Sequence, residues 1–132
     1  MRKFLEILSV SVFGGMLYGA IEVIYRGYTH WTMLITGAVC TALMYIIAVK
    51  SREKLWKKWI MCVFCITTVE FAVGIIVNIV MKMDVWDYTD NAFNLMGQIC
   101  LLFSVYWTGI SIPAVWMCQQ INKRFRMIER AA

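Results

Sequence analysis

Four apolar runs, at approximately 4–24, 31–49, 59–81 and 98–118, take up most of this chain. Each approaches the ~20 residues that a helix needs to cross a hydrocarbon core about 30 Å thick. Inside a bilayer no water is available for unpaired backbone groups, so such runs span as helices. The expected fold class is therefore all-α: a polytopic membrane protein, a bundle of four transmembrane helices. Composition supports this. The chain is 61% hydrophobic and 16% charged, and a soluble domain of 132 residues could not hide that much apolar surface. Nothing of domain size lies outside the runs, so residues 1–132 read as one integral membrane domain. The first run is too long for a signal-peptide core, carries Glu6 near its start, and continues into Tyr25-Arg26-Gly27 rather than a small-residue cleavage site.

The net charge of +5 is topological rather than a nucleic-acid footprint, and no nucleic-acid partner is expected. Arg2 and Lys3 precede the first run, and Lys50, Arg52, Lys54, Lys57 and Lys58 follow the second. Lys123, Arg124, Arg126 and Arg130 lie in the tail. Eleven of the 13 basic residues thus share one side, against Arg26 and Lys82 on the other. The positive-inside rule places both termini in the cytoplasm, with the basic loops favouring anionic lipid. Several of Trp31, Trp59, Trp86, Trp107 and Trp116 lie near run ends, as interfacial anchors do. The five cysteines read as small packing residues, and His30 as an interfacial polar group. No His/Cys cluster has zinc spacing, so no metal and no cofactor is expected. No P-loop, dinucleotide-binding glycine pattern or nucleophile elbow is present, and no acid, base and nucleophile set marks an enzyme or a catalytic residue.

The chemistry lies within the runs. Glu70 sits near the middle of the third, where a carboxylate costs about 2.5–3.5 kcal/mol on insertion scales. It must be protonated or face protein or water. Thr67, Glu70, Gly74 and Asn78 follow at steps of three, four and four, one polar stripe on one helix face. That stripe is either an interhelical lock or the wall of a polar path. In the first run Gly15 and Gly19 form a GxxxG contact face that continues to Glu22 and Arg26. Glu22 and Arg26 are also i,i+4 partners, so a simple intrahelical ion pair is the alternative. The second run offers Gly37, Cys40, Thr41 and Met44 for close packing. In the fourth, Pro113 removes the backbone bond to Gly109 and predicts a bend there, with Gly109 as a packing position and Pro113 as a hinge. The outer loop from Met83 to Asn94 is aromatic and acidic, so Asp87 and Asn94 are candidates for a cation or for Arg26, although an acidic exterior loop is also ordinary.

The stretch Val85-Trp86-Asp87-Tyr88-Thr89, then Phe93-Asn94-Leu95, then Gly97-Gln98-Ile99-Cys100-Leu101 resembles the type IV ABC-transporter family of small bacterial membrane proteins. That family has an intramembrane Glu followed by Trp-Asp-Tyr-Ser, Phe-Asn and Gly-Arg-Ile-Cys-Leu. Gly19, Glu22 and Tyr25-Arg26-Gly27 are similar as well. Here Thr89 stands for the usual Ser and Gln98 for the usual Arg, which removes a membrane-edge cation. The resemblance implies transport in a bacterial cytoplasmic membrane, with any ATPase on a separate subunit. The expected function is permease-like: a small solute or ion moves along a path lined by Glu22, Arg26, Glu70, Asn78, Asp87 and Asn94, in a homo-oligomer or with a membrane partner. The alternative is a non-transporting accessory subunit that binds another membrane protein through the glycine faces of Gly15, Gly19, Gly74 and Gly109.

Overall fold

The computed structural model describes residues 2–131, so residues 1 and 132 of the expected domain lie outside it. Four helices long and apolar enough to cross a membrane make up the architecture. They are α1 (Arg2–Arg26), α2 (Trp31–Lys50), α3 (Leu55–Gly74) and α4 (Leu101–Ala131). Short loops join α1 to α2 and α2 to α3, so neighbouring helices run antiparallel. Gly27, at φ +82°, and the His30 N-cap, whose ring accepts from Thr32 N, turn the chain from α1 into α2. Asn122 Nδ2 donates to Glu6 Oε1 at 3.1 Å, so the two ends of the chain meet at one end of the bundle.

The four runs are helical, but their limits differ from the sequence expectation: the third helix starts at Leu55 rather than at Trp59. The fourth helix starts at Leu101, not at Gln98, and continues to Ala131. Its 31 residues span about 46 Å at 1.5 Å each, well beyond a hydrocarbon core of about 30 Å. Hydropathy marks where the membrane ends, whereas a helix satisfies its own backbone on either side of that boundary. Residues Ile75–Val80 form a π-helical extension of α3, closed by Met81 N donating to Ile76 O at 2.9 Å. The all-α expectation needs one amendment: β1 (Asn94–Leu95) pairs antiparallel with β2 (Ile99–Cys100) in the loop before α4.

Helix α1 lies along α2 on a seam of small residues. A Cβ on Gly15 would stand 2.6 Å from the Leu34 carbonyl oxygen, and one on Gly37 would stand 2.6 Å from Tyr18 Cβ. Gly14 meets Thr41 and Gly19 meets Leu34 in the same way. These glycine faces are therefore consumed within the subunit, because hydrocarbon gives helices no hydrophobic reason to associate and close backbone approach must hold them. They are not free for the accessory-subunit contact. The core has two parts. Val10, Met44, Tyr45, Cys62, Val115 and Cys118 pack towards the end where the termini meet, and Met33, Val77, Val85 and Trp86 pack towards the loop end.

A cavity between the first and last helices

Helix α2 touches both α3 and α4, and α3 touches α4, but α1 and α4 form no comparable seam. Between them lies a cavity of about 480 Å³. Tyr18, Tyr25, Tyr88, Phe103, Tyr106 and Trp107 supply its aromatic wall. Tyr18 stacks on Trp107 with centroids 5.3 Å apart, and Tyr88 stacks on Phe103 at 4.5 Å. Such offset ring pairs hold one another in place and present rigid surfaces.

Glu70 stands directly behind this wall. It is 3% exposed, and Trp107 Nε1 donates to its Oε2 at 2.9 Å. The second oxygen, Oε1, is buried with no hydrogen-bond partner. The ion pairs among the described residues are Arg26–Glu22 and Lys57–Glu53, so Glu70 has no cation of its own. A buried carboxylate with half its acceptors unused is costly and unusual.

Glu22 and Arg26 form the rim of the cavity at its loop end. Arg26 Nη2 donates to Glu22 Oε1 at 2.8 Å, and Thr29 Oγ1 donates to Oε2 at 2.8 Å. The i,i+4 pair is thus present, but it does more than brace one helix. Arg26 Nη1 also donates to Val85 O at 2.9 Å, tying α1 to the outer loop, and its guanidinium lies 4.9 Å from the Tyr28 ring centroid.

Asn78, Asp87 and Asn94 stand apart from this arrangement. Asn78 Nδ2 donates to Gln98 Oε1 at 2.9 Å and its Oδ1 accepts from Val85 N at 2.8 Å. It pins the outer loop and shares no partner with Glu70. Glu70, Gly74 and Asn78 are all buried, and Gly74 and Asn78 both meet Gln98, so the face is kept while its two polar ends take different partners. Asp87 is exposed and accepts from both the backbone N–H and the hydroxyl of Thr89, which hold its carboxyl below the usual carboxylate range. Asn94 Nδ2 donates to Thr89 O and Asn91 O, and its Oδ1 accepts from Gly97 N at 3.1 Å. Both are turn-forming groups. Tyr88, between them, faces inward, and burial pushes its phenol well above the usual range, with the Glu70 charge adding to the shift.

Two packing expectations change. Gly74 lies against Gln98 and Trp86 of the loop rather than against a helix. A Cβ on Gly109 would meet nothing within 4 Å, because α1 stands away from α4 there and leaves the cavity. Pro113 lies inside α4, which remains helical on both sides of it. Trp86 and Trp107 are not lipid-facing anchors: their indole N–H groups are bonded to Gln98 O and to Glu70. Gln98 is buried, so the position read as a membrane edge lies inside the loop's packing.

Sequence reasoning passed over Tyr18, Tyr88 and Trp107 as site residues. It also passed over a polar cluster at the other end of the bundle. There the Tyr45 hydroxyl donates to Glu6, and Asn122 Nδ2 lies 3.1 Å from both Glu6 Oε1 and the Tyr45 hydroxyl. An acid one turn into an apolar run was the available signal. No group of three His, Cys, Asp or Glu side chains placed to hold a metal ion occurs among the described residues.

A family model described as "Putative ABC-transporter type IV" matches residues 6–132. No curated protein and no solved structure matches the chain.

Proposed function

This chain belongs to the type IV ABC-transporter family, and from that premise we propose that it carries a small solute or ion through the cleft between α1 and α4. The family and the four long apolar helices make it a multi-pass membrane protein of transport type. The single observation that carries the finer reading is Glu70, a buried carboxylate with a free oxygen behind the wall of a 480 Å³ cavity. Intramembrane acids that face protein and lack a counter-ion mark ion and substrate paths. In this reading Glu70 is the charge-bearing group of the path and Glu22–Arg26 its rim. Asn78, Asp87 and Asn94 hold the outer loop over it. Pro113 leaves the Gly109 carbonyl without its helical N–H, one turn away in the cavity wall, so α4 is the element best suited to bend.

The family suggests a bacterial cytoplasmic membrane, and the distribution of basic residues favours both termini inside. One subunit offers an aromatic cleft rather than a continuous channel, so a homo-oligomer or a membrane partner completes the path, and energy from ATP would come through a separate subunit. The test is reconstitution into vesicles. Wild type is expected to give pH-dependent solute or proton flux, and Glu70→Gln to remove that flux while the purified variant keeps its helix content and melting temperature. If wild type moves nothing across a broad panel of ions and small solutes, and Glu70→Gln melts higher, the transport reading is wrong and Glu70 is a structural lock.

A further inference from the structure

The walls of the cleft state what kind of ligand it suits. Six aromatic side chains face or border it, and the face of an aromatic ring is the negative end of a quadrupole. Cations are attracted to such faces within about 6 Å of the centroid, most strongly where water is excluded. The carboxylates nearby are Glu22 in the rim and Glu70 behind Trp107. The one basic group of the rim, Arg26, is already engaged by Glu22, by Val85 O and by the Tyr28 ring, and keeps only its Nε without a partner. Arg26 and Glu22 cancel as an ion pair. Glu70 is left as the uncompensated acid.

Shape points the same way. The cavity volume of about 480 Å³ falls in the range of small-molecule sites, about 300–1,000 Å³. Its remaining lining is aliphatic, from Ile21, Val105 and Ile110, and it is kept open where Gly109 has no side chain. A strongly hydrated metal ion would find no set of oxygen ligands here. A ligand with an apolar body and a delocalised or shielded positive charge would satisfy every part of the wall.

We propose that the α1–α4 cleft binds a lipophilic organic cation, with the Tyr18–Trp107 and Tyr88–Phe103 pairs embracing its apolar groups and Glu70 supplying the counter-charge. The inference rests on the reading of this cleft as the solute site and adds the class of solute. Glu70 need not touch the ligand. It acts at the back of Trp107, holding the indole through its N–H and making the wall more negative.

The test uses tetraphenylphosphonium and tetraphenylborate, probes of nearly equal size and opposite charge. Binding to the purified full chain in lipid nanodiscs is measured by tryptophan fluorescence and calorimetry, with empty nanodiscs subtracted. Wild type is expected to bind the cation at least about tenfold more tightly than the anion. Glu70→Gln and Trp107→Leu are each expected to weaken cation binding by about tenfold or more. Gly109→Leu is expected to fill the cleft and abolish binding with little change in melting temperature, which keeps the proposal testable if either of the other variants fails to fold. Equal binding of the anion overturns it, as does binding that survives Gly109→Leu. So does a phospholipid that copurifies in the cleft and is not displaced by the cation. Cation binding without any flux would leave the site assignment standing and remove the transport reading. Flux of another solute with no cation binding would do the reverse.

Discussion

At the scale of single residues, partners decide what each acid in this chain does. Glu22 has both oxygens engaged, by Arg26 and Thr29, and Glu6 has its Oε1 engaged by Tyr45 and Asn122, whereas Glu70 keeps a fully buried oxygen with no partner. Removing a partner from an engaged acid should cost stability. Tyr45→Phe leaves Glu6 and Asn122 short of one bond each, and hydrogen bonds within membrane bundles are worth about 0.6 kcal/mol on average, up to about 1.7. A fall in thermal or denaturant stability of that order is expected, with the fold intact; an unchanged or higher midpoint would show that the cluster contributes nothing. Asp87 offers a pH prediction. Its folded-state pKa is depressed by the Thr89 hydroxyl and backbone N–H, so the loop interaction is fully present above the unfolded carboxylate pKa and is lost as pH falls through the folded value. Thr89→Val should move the Asp87 titration midpoint back towards the ordinary range, as read by NMR. An unmoved midpoint would mean that the hydroxyl is not the cause.

Among the helices, glycines of equal sequence character have opposite roles. Gly15 lies where a Cβ would strike the Leu34 carbonyl, and Gly109 lies where it would strike nothing. Gly15→Ala should therefore destabilise the α1–α2 seam, since backbone on the facing helix cannot yield as a flexible side chain can. Gly109→Ala should be neutral or stabilising by about 0.5–1 kcal/mol, because alanine loses less backbone freedom in a helix. Comparing the two melting shifts checks the assignment, and a destabilised Gly109→Ala would place an unseen contact at that point of α4. The long C-terminal half of α4 is a further element-scale feature. Phe125, Met127 and Ile128 are exposed on it beside Lys123, Arg124 and Arg126, a mixture suited to the headgroup region.

For the whole molecule, the antiparallel alternation of four helices brings both chain ends together at the Glu6–Asn122 contact. From the charge distribution that end is expected on the cytoplasmic side. Single cysteines placed at Lys54 and at Met96 in a cysteine-free background should label from the cytoplasm and from the exterior respectively; the opposite pattern would invert the molecule. The polar ties of α1 cluster at its two ends, Glu6 to Tyr45 and Asn122 at one and Glu22 and Arg26 to Thr29 and Val85 at the other, with the aromatic cavity towards the second. This is the arrangement expected of a cleft that is held at both ends and accessible along its length.

The existence, order and approximate limits of the four spans were legible in the chain, because the bilayer makes apolar length a direct readout of helix. The close seam at Gly15 and Gly19, the Glu22–Arg26 pair and the anomaly of Glu70 were legible too, since each depends on residue type and helical spacing alone. What surrounds Glu70 was not. Trp107 lies 37 positions away, and no periodicity within α4 distinguishes a tryptophan that faces a carboxylate from one that anchors in headgroups. That Asn78 bonds to Gln98 and Val85 rather than to Glu70, and that Asp87 and Asn94 hold turns through Thr89, Asn91 and Gly97, follow from how the outer loop folds back over Gly74. The cavity is the furthest from sequence. It exists because α2 occupies the space between its neighbours while α1 and α4 stay apart, and a gap between helices is a property of their mutual placement, carried by no residue in particular.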